Sequence, residues 1–216
     1  MTASEAQDDA RLAERLSVGS RDLGLALTAG QQAALLHYLA LMVRWNRAYN
    51  LTAVRDPLEM VVKHLLDSLA IQPFLFGATV LDIGTGAGLP GIPLAIVNPA
   101  RRFHLLDSNG KKVRFVRQVV LELGLANVEP AQSRMETYLP QGKFSTIVSR
   151  AVAAGEILRA PTAHWLARPG RLLLMKGRQT DDAFDVSGFA AAAPRVHPLR
   201  VPFLDETRHL IEIRSD

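Results

Sequence analysis

The stretch from Thr79 to Gly91, TVLDIGTGAGLPG, constrains this chain more than any other. Val80, Leu81 and Ile83 read as a strand buried on both faces. The glycines at 84, 86 and 88 let the chain turn sharply and let a ligand approach bare backbone where a Cβ would collide. A buried strand, an acidic residue at position 82 and a glycine-rich turn that opens a helix predict an open α/β sheet holding a nucleoside-containing ligand.

Two frames of the glycines compete. Gly86, Gly88 and Gly91 fit G-x-G-x-x-G, the dinucleotide fingerprint in which a pyrophosphate sits on a helix N-terminus. That frame leaves Gly84 and Thr85 between the strand and its first glycine. The frame D-I-G-x-G-x-G from Asp82 starts at the strand end and resembles motif I of the class I S-adenosylmethionine-dependent methyltransferases. In a third reading the glycines merely make a turn. A second apolar run, Phe103 to Leu106, ends in Asp107, whose carboxylate can accept hydrogen bonds from both ribose hydroxyls of a nucleoside. This holds for NAD as well as for S-adenosylmethionine, and a helix N-cap or capping neighbour for the helix that follows at Asn109 is the alternative use of Asp107.

Downstream, apolar residues at 113, 116, 119, 120 and 123 with Gly124 behind them predict a helix over 111–123. Strands are predicted at Val128 to Gln132 and Phe144 to Val148, the latter running into Ser149-Arg150-Ala151. A helix from about Glu156 to Ala167, a turn at Pro169-Gly170 and a strand from Arg171 to Met175 come next. After an Ala-rich helix around Phe189 to Ala193, two strands, Arg195 to Phe203 and Arg208 to Arg214, are joined by only Leu204 to Thr207. A link that short forces an antiparallel hairpin. The fold class is therefore α/β, a Rossmann-like, mostly parallel seven-stranded sheet with an antiparallel C-terminal hairpin.

Residues 1–77 form an α-helical cap ahead of the sheet domain, 78–216, and the two read as one integrated unit. Thr28 and Gln31 have capping-box spacing before apolar residues at 35, 36, 39, 42 and 43. Asp56-Pro57-Leu58-Glu59 is another helix start, and Leu58, Val61, Val62, Leu65, Leu66 and Leu69 paint one face behind it. His64 flanks that stripe three residues before Asp67. It reads first as a structural histidine bonded to that or another carboxylate, and second as an active-site residue.

Composition narrows the chemistry. A chain of 216 residues with 48% hydrophobic content can bury a single substantial core. No apolar run reaches the length of a membrane span and the start MTASEAQDD lacks a secretory signal, so a cytoplasmic protein without a membrane partner is expected. The absence of cysteine excludes disulfides, thiolate metal sites and the cysteine nucleophile needed to methylate carbon 5 of a pyrimidine; no metal is predicted. Ser149-Arg150-Ala151-Val152 is not the Asn/Asp-Pro-Pro-aromatic turn that goes with exocyclic amine methylation. An acceptor with its own lone pair, such as a ring nitrogen, needs no base and remains comfortable. With 25 Lys+Arg against 21 Asp+Glu, the chain suits a polyanion without demanding one. Lys111, Lys112, Arg114 and Arg117 read either as a solvated helix face or as RNA contacts, and Arg44, Arg47, Arg55 and Lys63 add basic groups in the cap.

Asn50-Leu51-Thr52, Arg55-Asp56-Pro57, His64-Leu65-Leu66-Asp67-Ser68, the run from Asp82 through Leu89-Pro90-Gly91-Ile92-Pro93, Leu106-Asp107-Ser108, Lys111 to Phe115, Gln132-Ser133-Arg134, Ser149-Arg150-Ala151 and Arg208-His209-Leu210 together resemble the RsmG, or GidB, family of bacterial 16S rRNA guanine-N7 methyltransferases. The resemblance runs from about Tyr49 to the C-terminus. It implies transfer of a methyl group from S-adenosyl-L-methionine to N7 of one guanosine, by convention nucleotide 527. The implied partner is 16S rRNA, free or within the small ribosomal subunit or an assembly intermediate, and a monomer is expected. The family's cofactor contacts fall on Gly84, Leu89, Met135, Glu136 and Arg150, and Gly86, Gly88 and Asp107 complete the candidate cofactor set. Arg150 can meet the methionine carboxylate or an RNA phosphate; Arg150 and His64 are the catalytic candidates. An NAD-dependent oxidoreductase and a noncatalytic RNA-binding protein with a nucleoside-binding fold are the alternatives.

Overall fold

The computed structural model describes residues 3–150, 162–177 and 193–215. Helix α1 is Ala3–Asp22 and α2 is Ala29–Tyr49. Helix α3 spans 57–69, opening as Pro57–Met60, widening into a π-helical stretch Val61–Leu66 and closing as Asp67–Leu69. Strand β1 is Thr79–Ile83, followed by α4 (Gly91–Val97), β2 (Arg102–Asp107), α5 (Gly110–Leu123), β3 (Val128–Gln132) and β4 (Phe144–Ser149). Helix α6 (Thr162–Trp165) leads into β5 (Leu166–Lys176), and β6 (Arg195–Leu199) and β7 (Arg208–Ser215) end the described chain.

The helix starts form for the local reasons their sequences suggest. The Thr28 hydroxyl accepts from the Gln31 amide, and the Gln31 side chain accepts from the Thr28 amide. The Asp56 carboxylate accepts from the amides of Leu58 and Glu59, with Pro57 at the first helical position where no donor is needed. Gly124 ends α5 at a φ of 61°, in the left-handed region.

The strands lie in the order β3-β2-β1-β4-β5-β7-β6. The first five are parallel, and β7 runs antiparallel between β5 and β6, as the short link before it requires. Strand order reverses between β1 and β4, which opens a crevice at their carboxyl ends. Alternate strand residues feed two cores. Val80, Phe103, Leu105, Val148 and Leu173 join one cluster with Leu16, Tyr38 and Leu65 of the cap and Phe115 of α5. Leu81, Leu106, Ile147, Leu172 and Ile213 join the other with Trp165. Cap and sheet therefore share one continuous apolar cluster.

The structure departs from the sequence reading in four places. Ahead of Thr28, where the sequence reading places no helix in the cap, the chain forms α1, whose Leu16 is fully buried. Gly19 lets α1 press on α3, since a Cβ there would run into Leu66. Strand β5 begins at Leu166, not Arg171. Leu166 pairs with Phe144 and Arg171 with Thr146, so the Pro169-Gly170 segment read as a turn is a bulge within the strand, where a residue without an N–H is tolerated. Strand β6 stops at Leu199, and the chain turns at Val201, whose carbonyl accepts from the Leu204 amide. On α3 the stripe is not the only buried face, because the π-helical widening also turns His64, Asp67 and Ser68 inward. The helix read over 156–167 lies outside the described residues except for its last turns, where Thr162–Trp165 is helical but Leu166 and Ala167 already belong to β5. The Ala-rich helix read around Phe189 lies outside them except for Ala193, which is in coil.

Candidate active site

The glycine loop is built on the end of β1. Gly84 and Thr85 both donate their amides to the Leu106 carbonyl, at 2.8 and 3.1 Å, so the pairing with β2 continues to Gly84 without a gap. Gly86 and Gly88 then take φ values of 61° and 92°, a region closed to most residues with a Cβ. Three groups hold the loop. From below, Asp82 Oδ2 accepts from the Thr85 hydroxyl at 2.7 Å and from the Gly91 amide at 2.9 Å. From β2, Asp107 Oδ2 accepts from the Gly86 amide at 2.8 Å, and from the cap the buried Tyr38 hydroxyl donates to the Ala87 carbonyl at 2.6 Å.

Asp107 is a neighbour of the α5 cap and not the cap itself. Asn109 is the cap, accepting from the amides of Lys111 and Lys112, while Asp107 Oδ1 accepts from the Asn109 amide at 2.8 Å. Each carboxylate oxygen has a second lone pair, so Asp107 can tie the loop and still accept from a ligand. It lines a cavity of about 320 Å³ together with Gly84, Lys112, Arg134, Met135 and Glu136. A Cβ built on Gly86 meets nothing nearer than 3.9 Å, where it finds the Lys112 Nζ and the Gly84 carbonyl oxygen. Bare backbone, an acceptor carboxylate and the half-buried Met135 side chain fit a nucleoside. Gly86 is not among the residues lining this cavity, although its Cβ direction faces Lys112 at the cavity wall, and Gly88 and Leu89 do not line it either. The Gly88 and Leu89 amides donate to the Thr85 carbonyl at 2.9 and 2.8 Å, and the Leu89 side chain is in the apolar core, so both shape the loop from behind.

A larger cavity of about 790 Å³ opens at the carboxyl ends of β4 and β5 and the start of β7. Arg150 lines it with Lys63, Asp67, Lys176, Arg208 and His209. The Arg150 Nη1 donates to the Lys63 carbonyl at 3.0 Å and to Asp67 Oδ2 at 3.3 Å. Its charge also reaches the loop, lowering the pKa of both Tyr38 and Asp82 against the upward push of burial. Arg150 thus lines the larger cavity while its charge reaches two of the residues that hold the loop.

His64 lines neither cavity. Its Nε2 lies 2.9 Å from the Thr52 hydroxyl, its Nδ1 is buried without a hydrogen-bond partner among the described residues, and Asp67, the carboxylate read for it, faces two arginines instead. The i→i+5 bonding of the π-helical stretch changes the angular offset between positions 64 and 67, which ordinary helical spacing could not foretell. Tyr38 also escaped the sequence reading, although it stands at helical spacing with Leu35, Leu39 and Met42, a polar-tipped residue on an apolar face. Of the basic helix residues, Lys111, Arg114 and Arg117 are exposed while Lys112 turns to the smaller cavity. Arg44 pairs with Glu122 at 3.1 Å and ties α2 to α5.

Two buried groups give the protein opposing pH dependences. Burial pushes the Asp82 carboxyl from 3.8 up to about 7, against the hydrogen bonds from Thr85 and Gly91. The folded chain therefore keeps a proton there that the unfolded chain has lost, and stability falls as pH rises through that interval. Burial, helped by the Arg150 charge, lowers His64 from 6.5 to about 4, so its contribution rises with pH over nearly the same range. Asp82→Asn removes only the falling part. The melting temperature of the variant should gain on that of the native protein as pH is raised from about 5 to 8. A constant difference across that range would show that Asp82 ionises at ordinary pH.

A family model for GidB, rRNA small subunit methyltransferase G, matches residues 31–211. The chain is 50% identical over 206 residues to "Ribosomal RNA small subunit methyltransferase G" of Ectopseudomonas mendocina, covering 94% of this chain and 96% of that protein. It is 46% identical over 194 residues to the protein of the same name from Yersinia enterocolitica, covering 89% and 94%. Among solved structures, magnesium protoporphyrin IX methyltransferase of Synechocystis superposes with a TM-score of 0.56 at 19% identity, over 88% of this chain and 99% of that one. A SAM-dependent methyltransferase of Aquifex aeolicus gives 0.53 at 19% identity, over 74% and 94%. Likeness at that identity speaks to the fold, which is that of the S-adenosylmethionine-dependent methyltransferases. The sequence relatives go further: matched over most of its length, the chain belongs to the GidB family, rRNA small subunit methyltransferase G.

Proposed function

We propose that the protein transfers the methyl group of S-adenosyl-L-methionine to N7 of a guanosine in 16S rRNA, nucleotide 527 by the family convention. The observation that carries this reading is the family match over residues 31–211, which takes in a glycine loop that Asp107 ties beside a nucleoside-sized cavity. The pairing of β1 out to Gly84 favours the D-I-G-x-G-x-G frame over the dinucleotide frame, which has no use for that residue. When bound, the cofactor supplies a methyl group on a sulfonium, open to in-line attack by a nitrogen lone pair.

The chain's own residues have separable tasks. Asp107 accepts from the ribose hydroxyls, and Gly84 and Gly86 let the ligand lie against backbone. Met135 covers an adenine face, and the backbone at Met135 and Glu136 addresses its edge. Arg150 serves the charged end of the cofactor nearest the larger cavity. Lys63, Lys176 and Arg208 make that cavity suited to an RNA strand. We place the protein in the cytoplasm as a monomer, acting on 16S rRNA or a small-subunit particle; no helix among the described residues is long and apolar enough to cross a membrane. Mass spectrometry of 16S rRNA from cells with and without the gene tests the reading: one 7-methylguanosine should vanish with the gene. An unchanged methylation pattern overturns it.

Asp107→Ala should weaken S-adenosylhomocysteine binding by about 1 to 3 kcal/mol, because charge-assisted bonds to ribose are lost. The apoprotein should also melt at a lower temperature, since the Gly86 and Asn109 amides lose their acceptor. Calorimetry and thermal melts measure the two effects separately. Lowered stability with unchanged affinity would confine Asp107 to loop support.

A further inference from the structure

Asp67 on α3 sends its two carboxylate oxygens to two different strands. Its side chain is 4% exposed. Oδ2 accepts from Arg150, the residue just past β4, at 3.3 Å, and Oδ1 accepts from the Nε of Arg208, the first residue of β7, at 3.2 Å. Strand β5 separates β4 from β7, so the two arginines are not neighbours in the sheet; Asp67 is the side chain that joins them. The rest of each guanidinium is also directed. Arg150 donates to the Lys63 carbonyl, while Arg208 Nη1 donates to the Thr207 carbonyl at 3.2 Å and Nη2 to Glu206 at 2.9 Å.

A buried carboxylate is costly unless paired; Asp67 is paired with two guanidiniums, and Glu206 takes a further N–H of Arg208 at the cavity. Both arginines line the larger cavity with Lys63 and Lys176, and Arg150 is in addition close enough to Tyr38 and Asp82 for its charge to act on them. A guanidinium fixed by its Nε keeps its remaining N–H groups at a set angle, which suits a phosphodiester better than a freely turning ammonium does.

We propose that Asp67 is a positioning residue that registers the methyl-donor side of the site, through Arg150, with the RNA side, through Arg208, and that Arg208 meets a backbone phosphate beside the target guanosine. This rests on the function proposed above. Neither arginine can shift without moving the carboxylate that holds the other.

The test measures two affinities without turnover: S-adenosylhomocysteine by calorimetry, and a 16S rRNA hairpin carrying the target guanosine by fluorescence anisotropy. Arg150→Gln should weaken only the first and Arg208→Gln only the second, while Asp67→Asn weakens both by about tenfold with the protein still folded. The decisive readout is non-additivity. Asp67→Asn combined with Arg150→Gln should bind S-adenosylhomocysteine no more weakly than Arg150→Gln alone, and combined with Arg208→Gln it should bind the hairpin no more weakly than Arg208→Gln alone. Additive losses overturn the proposal, as does an Asp67→Asn protein of lowered melting temperature with both affinities intact. Arg208→Lys gives a measurement that does not depend on Asp67 variants folding: hairpin affinity should fall about tenfold although the charge is kept, and an unchanged affinity overturns the phosphate assignment. Native protein that neither binds the hairpin nor methylates 16S rRNA would instead overturn the functional reading beneath it. Native protein that methylates while the losses add would overturn the Asp67 role alone.

Discussion

Gly86→Val yields a folded protein that no longer binds S-adenosyl-L-methionine. Gly86 sits at a φ of 61°, where a residue with a Cβ is strained by about 1–2 kcal/mol and a β-branched one by more. Its amide is also the donor to Asp107, so relief of that strain by backbone rotation would detach the loop from β2. Within the protein the new side chain has room, with nothing nearer its Cβ than 3.9 Å. The damage therefore falls on the ligand, which must share that space, and affinity should drop by about a hundredfold or more while the melting temperature falls only modestly. Gly91→Ala is the contrasting control. A Cβ at Gly91 would run into Leu105 and come within 2.8 Å of Asp82 Oδ2, so that variant should lose stability first. Calorimetric titration of both proteins distinguishes the effects, and near-native affinity in folded Gly86→Val would sink the loop assignment.

The difference between those two glycines could not be seen in the sequence, where both are letters in one motif. What could be seen was local. The strand at 79–83, the capping groups Thr28 and Asp56 and the Gly124 cap each depend on residues a few positions apart, and each stands where the spacing put it. Asp107 was legible as an acidic residue at a strand end, but its bond to Gly86 was not, because that contact depends on how two strands are placed side by side. Tyr38 reaches the loop from the cap, and Asp67 meets arginines from β4 and β7. No local pattern encodes such meetings. The bulge in β5 was misread for a related reason: Pro169-Gly170 has turn chemistry, yet pairing with β4 on both sides of it keeps the chain in the sheet. His64 is buried as the structural reading had it, but its partner is Thr52 and not Asp67; a helix of ordinary pitch was assumed where the chain is π-helical.

Methylation by this protein should be insensitive to pH over the range in which a general base would titrate, and its product should cleave. Guanine N7 has a free lone pair and no proton, so transfer turns a cationic sulfonium and a neutral base into a neutral thioether and a cationic 7-methylguanine with nothing to deprotonate. His64, the one histidine that sequence alone put forward as a catalyst, is buried against Thr52 and lines neither cavity, so it does not face an acceptor bound there. His209, Asp205 and Glu206 do line the larger cavity, and they make the test pointed. The single-turnover rate with saturating cofactor should vary by less than about threefold between about pH 6.5 and 9, in the native protein and in His209→Gln alike. A sigmoid rise that His209→Gln abolishes would mean a base is at work and the acceptor carries a proton. Product analysis decides the atom, because 7-methylguanosine makes RNA cleavable by borohydride followed by aniline, whereas methylation of an exocyclic amine or a ribose hydroxyl does not. One cleavage is expected in 16S rRNA treated with the native protein and S-adenosyl-L-methionine, and none with Arg150→Ala, which removes a charge from the larger cavity and a partner from Asp67. Robust methyl incorporation without cleavage would leave the fold and the cofactor standing and move the target to another atom.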